Sequence, residues 1–146
     1  MLASDPTQFT TDAIPKTVHI WTVQISNHRV AKQEGIHLLD ITAKSGIPQF
    51  APEFRQVMRY KYKEIGEVEY TQLYEERMRY SLKTYPKVWE TLKDHPRVAL
   101  ACYCTPGNFC HRRLFADMMA KYLESEGYRA KKEGELLPPD KAAKAI

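Results

Sequence analysis

The chain has 146 residues, enough for a single domain around one buried core. Hydrophobic residues make up 43% and charged residues 27%, a globular balance that excludes a fully disordered chain. The net charge of +4 admits an anionic partner but falls below that of a dedicated nucleic-acid binder. No apolar run approaches the ~18 residues a membrane span needs, so no membrane partner is expected. The first 16 residues, MLASDPTQFTTDAIPK, carry neither the basic nor the apolar region of a secretory signal. Three cysteines crowded into one segment are a poor disulfide framework, and together these features predict a cytoplasmic, reducing setting.

In chain order, residues 1–15 read as an N-terminal tail, 16–137 as a single α/β domain and 138–146 as a C-terminal tail. Residues 16–25, KTVHIWTVQI, are β-branched and aromatic and predict a strand; 26–35, SNHRVAKQEG, read as a polar loop. IHLLDIT, residues 36–42, predicts a second, short strand covered on both faces, with Asp40 near its end. Residues 43–52 form a loop, and Pro52 suits the first turn of a helix running to about Ile65. A second helix is predicted from Glu67 to Thr84, with Tyr70, Tyr74, Met78 and Leu82 as its apolar stripe. A third helix opens at Pro86, and RVALACYC, residues 97–104, is a buried strand. TPGNF, residues 105–109, is a turn, and a helical period returns from Cys110 to Glu126, with Gly127 beyond its end. A final short strand is predicted around 128–132. Strands alternating with helices predict a Rossmann-like layered α/β fold with a mainly parallel sheet.

The informative motif is Cys102-Tyr103-Cys104, a turn, then Cys110-His111-Arg112-Arg113. It lies where a buried strand meets a helix N-terminus, the edge at which open α/β sheets bind ligands. The helix end offers unpaired N–H groups and about half a positive charge. Arg112 and Arg113 in the first turn work against that dipole, an arrangement that makes sense if an anion sits opposite; the alternative is pairing with Asp117 or Glu124. Cys110, at a helix N-terminus beside His and Arg, has the surroundings of a reactive thiol, whereas Cys102 reads as a packed small hydrophobe. The spacing C-x-C-x5-C-H lacks the knuckle of a structural zinc site, and adjacent Cys110 and His111 are not expected to converge on one ion, so no metal and no cofactor are predicted. A phosphatase-type loop is excluded, because Cys110 stands where its arginine would be.

The segment VALACYCTPGNFCHRRLFADMM resembles the signature of the family called domain of unknown function 488. HIWTVQIS at 19–26 is similar to its opening strand, and LLDITAKSG at 38–46 with FAPEF at 50–54 to its second strand and loop in a subgroup common in phages and bacteria. GEL at 134–136 extends the resemblance over roughly 17–137. The related domain of unknown function 4326 shares the Cys-x-Cys and Cys-His pattern. Where many members carry an acidic residue two positions after the strand cysteine, this chain has Cys104. The resemblance implies a Rossmann-like fold and nucleotide-related enzymes.

If the strands neighbour one another, their C-terminal ends gather Ser26, Asn27, His28, Arg29, Asp40, Thr42, Lys44 and Ser45 near the Cys110–Arg113 turn. The expected catalytic residues are Asp40, Cys110 and His111. The expected ligand contacts are Arg112, Arg113, Lys44, Ser45, Asn27 and Thr42. The partner these residues suit is a small anionic, nucleotide-like ligand. Nucleic acid is a second partner, through Arg55, Arg59, Lys61 and Lys63 interleaved with Tyr60 and Tyr62. The expected function is nucleotide or nucleobase processing, with N-glycosidic hydrolysis or transfer as the reaction. The alternative is a non-catalytic module that binds a nucleotide, nucleic acid or a host protein.

Overall fold

The computed structural model describes residues 16–104 and 110–139; the tail residues 1–15 and 140–146 and the 105–109 turn lie outside them. Strand β1 is Thr17–Gln24, followed by a 3-10 turn at Ile25–Asn27 and helix α1, His28–Gln33. Strand β2 is His37–Asp40. Helices α2, Phe54–Lys61, α3, Glu67–Thr84, and α4, Pro86–Glu90, lead to a 3-10 turn at Thr91–Lys93. Strand β3 is Arg97–Cys102, helix α5 is His111–Ser125 and strand β4 is Arg129–Leu136.

The four strands form one sheet in the order β2-β3-β1-β4, every pairing parallel. Parallel strands need crossovers, which the helices supply. On one face Val18, Ile20, Leu39, Val98 and Leu100 pack against Tyr74, Met78, Trp89, Phe115, Met119 and Leu123 from α3, α4 and α5. On the other, Val23, Ala99 and Ala101 pack against Ala31 of α1 and Ile36. β3 is covered on both faces, and so lacks the alternation of a half-exposed strand.

α1 corrects the expected loop at 26–35. It buries Ala31 alone, so it leaves no apolar period in the sequence. The stripe on α3 also differs at its end: Tyr70, Tyr74 and Met78 are buried, but Ser81 takes the place of exposed Leu82. A four-residue spacing drifts ~40° round a helix at each step, so a straight stripe of twelve residues leaves the core. Ser81 earns its burial by donating to the Gln49 carbonyl and accepting from Trp89 Nε1, at 2.6 and 3.0 Å.

β4 runs further than predicted. Its register against β1 slips between Ile20 and Trp21, which pair with Lys132 and Gly134, leaving Glu133 as the extra residue of a bulge. Gly134 at φ 105° takes a backbone conformation that side chains disfavour. The bulge brings Glu135 opposite Thr22, at the C-terminal end of the sheet.

Candidate functional site

β1 and β3 lie side by side, but their onward connections leave on opposite faces: β1 to α1, β3 to α5. In parallel sheets ligands bind beyond the C-terminal strand ends, at the point where such connections diverge. At the end of β1 this edge carries Asn27, at the start of α1. Its side chain makes no capping bond there, and its buried Nδ2 has no hydrogen-bond partner among the described residues. Among the described residues it is the buried side-chain polar atom so placed.

Asp40 ends β2 and organises the next turn. Its Oδ1 accepts from Thr42 N at 2.9 Å and its Oδ2 from Ser45 Oγ at 2.6 Å. Thr42 Oγ1 in turn accepts from Ser45 N at 3.1 Å, and Gly46 N donates to the Thr42 carbonyl at 3.0 Å. Thr42 is thus buried inside the turn, while Lys44 and Ser45 stand exposed on its outside.

The structure corrects the role expected of Arg112. Its side chain is wholly buried, and four of its five N–H donors are already spent. Nε and Nη2 meet the two carboxylate oxygens of Glu135, each at 3.2 Å. Nη1 donates to the Cys104 carbonyl and to Cys102 Sγ, both at 2.8 Å. Thr22 Oγ1 donates to the same carboxylate at 2.6 Å. Arg112 therefore ties β1, the end of β3 and β4 to the first turn of α5, and is no free hand for an anion. Arg113, about 100° further round the helix, is exposed. Neither arginine pairs with Asp117, which holds Lys132.

His111 is buried, and both ring nitrogens face protein atoms. Nε2 lies 2.8 Å from the Ile41 carbonyl, which can only accept, so Nε2 carries the hydrogen. Nδ1 then presents its lone pair to Cys110 Sγ, 3.6 Å away. Tyr74 packs edge-on against the ring at 5.5 Å. Burial pushes the imidazole down to about 4, so it is neutral near pH 7. The bond to Ile41 sets His111 one residue from Asp40.

Cys102 is fully buried, as expected of a packed residue, but it is not without polar contacts. Its sulfur touches Cys110 Sγ as well as Arg112, although the two cysteine Cα atoms stand 7.9 Å apart. Cys110 caps α5 in an extended conformation, φ −158° and ψ 150°, which is how its sulfur comes to reach the end of β3. With His111 these residues form a buried cluster whose three donor atoms lie within 4.8 Å of one another. Cys104, half-buried, lies outside it; burial pushes its thiol up, and Arg112 offsets part of that.

Sequence reasoning missed Glu135 as the partner of Arg112, although the GEL segment marked its position. Asn27, Asp40, Thr42, Lys44, Ser45 and Cys110 to Arg113 do lie at the C-terminal edge of the sheet. The basic face on α2 is partly engaged, Arg59 bonding Gln56 and approaching Glu64 and Glu69. Among the described residues no helix is long and apolar enough to cross a membrane.

The profile of a protein family described as the active DUF488-N3 subclade matches residues 9–123. No curated protein and no solved structure matches the chain.

Proposed function

The chain belongs to the active DUF488-N3 subclade, and from that membership and the polar groups gathered at the C-terminal ends of β1, β2 and β3 we propose that it is an enzyme processing a nucleotide or nucleobase. The reaction we assign is hydrolysis or transfer at an N-glycosidic bond. The observation that carries this reading is Asn27 Nδ2, a buried amide donor without a partner among the described residues, at the edge where parallel sheets bind ligands. A buried donor left open costs about 1–3 kcal/mol, and an acceptor on a base or ribose would meet it.

The other groups divide the work. Of the two carboxylates at the strand ends, Glu135 is held by Arg112, and Asp40 is the general base for an attacking hydroxyl or water. Exposed Lys44 and Arg113, both expected as ligand contacts, supply cations for a phosphate, while Arg112 is committed to Glu135. His111, neutral and turned to protein atoms, positions Cys110 and the β2 end and does not donate to a ligand itself.

The test is mass spectrometry of a nucleotide and nucleoside panel after incubation with the wild type, Asn27→Ala and Asp40→Asn. A free base or an exchanged nucleoside, formed at least about tenfold more slowly by Asp40→Asn, supports the enzyme. An intact nucleotide retained without turnover marks a binding module, and neither product nor retained ligand refutes the nucleotide reading.

A further inference from the structure

Cys102 Sγ, Cys110 Sγ and His111 Nδ1 converge at the end of β3, inside the protein, and the proposed turnover leaves their convergence unexplained. We propose that these three side chains bind a soft divalent cation, Zn2+ before others. The site stands apart from the nucleotide reading, since it needs only the chain and the ion.

Four observations support it. The donor atoms of all three residues lie within 4.8 Å of one another, and all three residues are buried. Zn–S bonds of ~2.3 Å and Zn–N bonds of ~2.05 Å at a tetrahedral angle place sulfur and nitrogen ~3.6 Å apart; Cys110 Sγ and His111 Nδ1 are 3.6 Å apart. The imidazole is oriented as a ligand: its Nε2–H is held by the Ile41 carbonyl, which leaves the Nδ1 lone pair facing the sulfurs. The Cα atoms of Cys102 and Cys110 are 7.9 Å apart, wider than the ~4.4–6.8 Å that disulfides usually span, so the backbone holds the two thiols to one point without the spacing of a stable disulfide.

The charges also close. Two thiolates balance a divalent ion, and Nη1 of Arg112, 2.8 Å from Cys102 Sγ, favours the thiolate form there. The arginine's own charge is balanced by Glu135, so the buried centre is neutral in sum. Thiolate and imidazole donors select zinc over magnesium or calcium, which take oxygen. Three protein ligands leave a fourth position for an exogenous donor, as in catalytic rather than structural zinc sites. The sequence-based expectation of no metal assumed that neighbouring Cys110 and His111 diverge. The extended backbone of Cys110 at the cap of α5 reverses that assumption.

The experiment uses the full chain, purified under reductant and equilibrated with ZnSO4. Elemental analysis should give about one zinc per chain, unchanged in Cys104→Ser and weakened at least tenfold in Cys110→Ser and His111→Ala. Because those variants could fail to fold, a second measurement uses the wild type alone. Zinc should protect Cys102 and Cys110 from alkylation at least tenfold, while Cys104 reacts at the same rate with or without the ion. Zinc below about 0.1 per chain, or protection that does not distinguish Cys104 from the other two, overturns the site. So does a Cys102–Cys110 disulfide that persists by mass spectrometry in reductant and zinc.

Discussion

Arg112 and Glu135 meet side by side at the C-terminal edge of the sheet, Nε on Oε1 and Nη2 on Oε2, both at 3.2 Å. The arginine side chain is fully buried and the glutamate 13% exposed. The pair clamps the first turn of α5 to β4, beside Cys102 at the end of β3.

Breaking one half of this pair should cost far more than removing both. Arg112→Met or Glu135→Leu alone leaves a buried charge unmatched, at about 3–5 kcal/mol. The double variant Arg112→Met/Glu135→Leu should recover at least half of that loss. Urea denaturation of the four proteins checks it. Single variants that unfold within about 1 kcal/mol of wild type would show the charges to be solvated.

Gly46→Ala should damage the Asp40 turn. A Cβ there would come within 2.6 Å of the Asp40 carbonyl and closer still to Thr42 N, both backbone atoms that cannot swing away. The cost is that of overpacking, about 1–3 kcal/mol. In amide exchange, Thr42 and Ser45 should lose protection before β3 does. Equal protection in the variant would disprove the close fit.

Asn27→Ala should separate stability from function. Removing an unsatisfied buried donor relieves its desolvation penalty, so the melting temperature should hold or rise slightly. Turnover of the proposed nucleotide substrate should fall at least about tenfold in the same protein. A drop in melting temperature of several degrees would mean that the amide is structural.

His37 and His95 stack with centroids 3.7 Å apart and planes 10° from parallel. Burial and the facing His95 push the His37 imidazole below its usual value, while Asp94 pulls the other way. The unfolded chain then binds the proton more readily than the folded one. Stability is therefore full above pH 6.5 and falls as pH drops below it. His95→Gln should make that fall shallower and Asp94→Asn steeper, as read from denaturation midpoints between pH 7.5 and 4.5. Identical slopes in all three would remove the coupling.

What could be read along the chain follows from how local each signal is. α3 and α5 bury broad faces at a helical period, and the apolar run of β3 is contiguous, so neighbours in sequence suffice to read them. α1 buries one alanine and carries no period. β4, RAKKEGEL, is a charged edge strand whose continuation past Lys132 depends on a bulge against β1. The edge on which the site lies was legible, because the strand-to-helix step at Cys102–Cys110 marks it. The use of Arg112 was not, since its partner sits 23 residues away on another strand. Nor was the meeting of Cys102, Cys110 and His111, which depends on the extended backbone of Cys110 at the cap of α5.

The order of the strands has a consequence for a chain emerging from the ribosome. β1 precedes all its partners, yet it stands at the centre of the sheet, His19 beside Arg97 on one side and Thr17 beside Arg129 on the other. Until those late segments appear, Val18, Ile20 and Val23 have no strand to pair with, and the growing polypeptide carries an uncovered sticky edge. Folding is thus obliged to wait for its last third, and the long closures involved make it slow relative to helical proteins of this size. Translation speed and holding chaperones, rather than local propensity, then govern how much of the newly made protein reaches the native sheet.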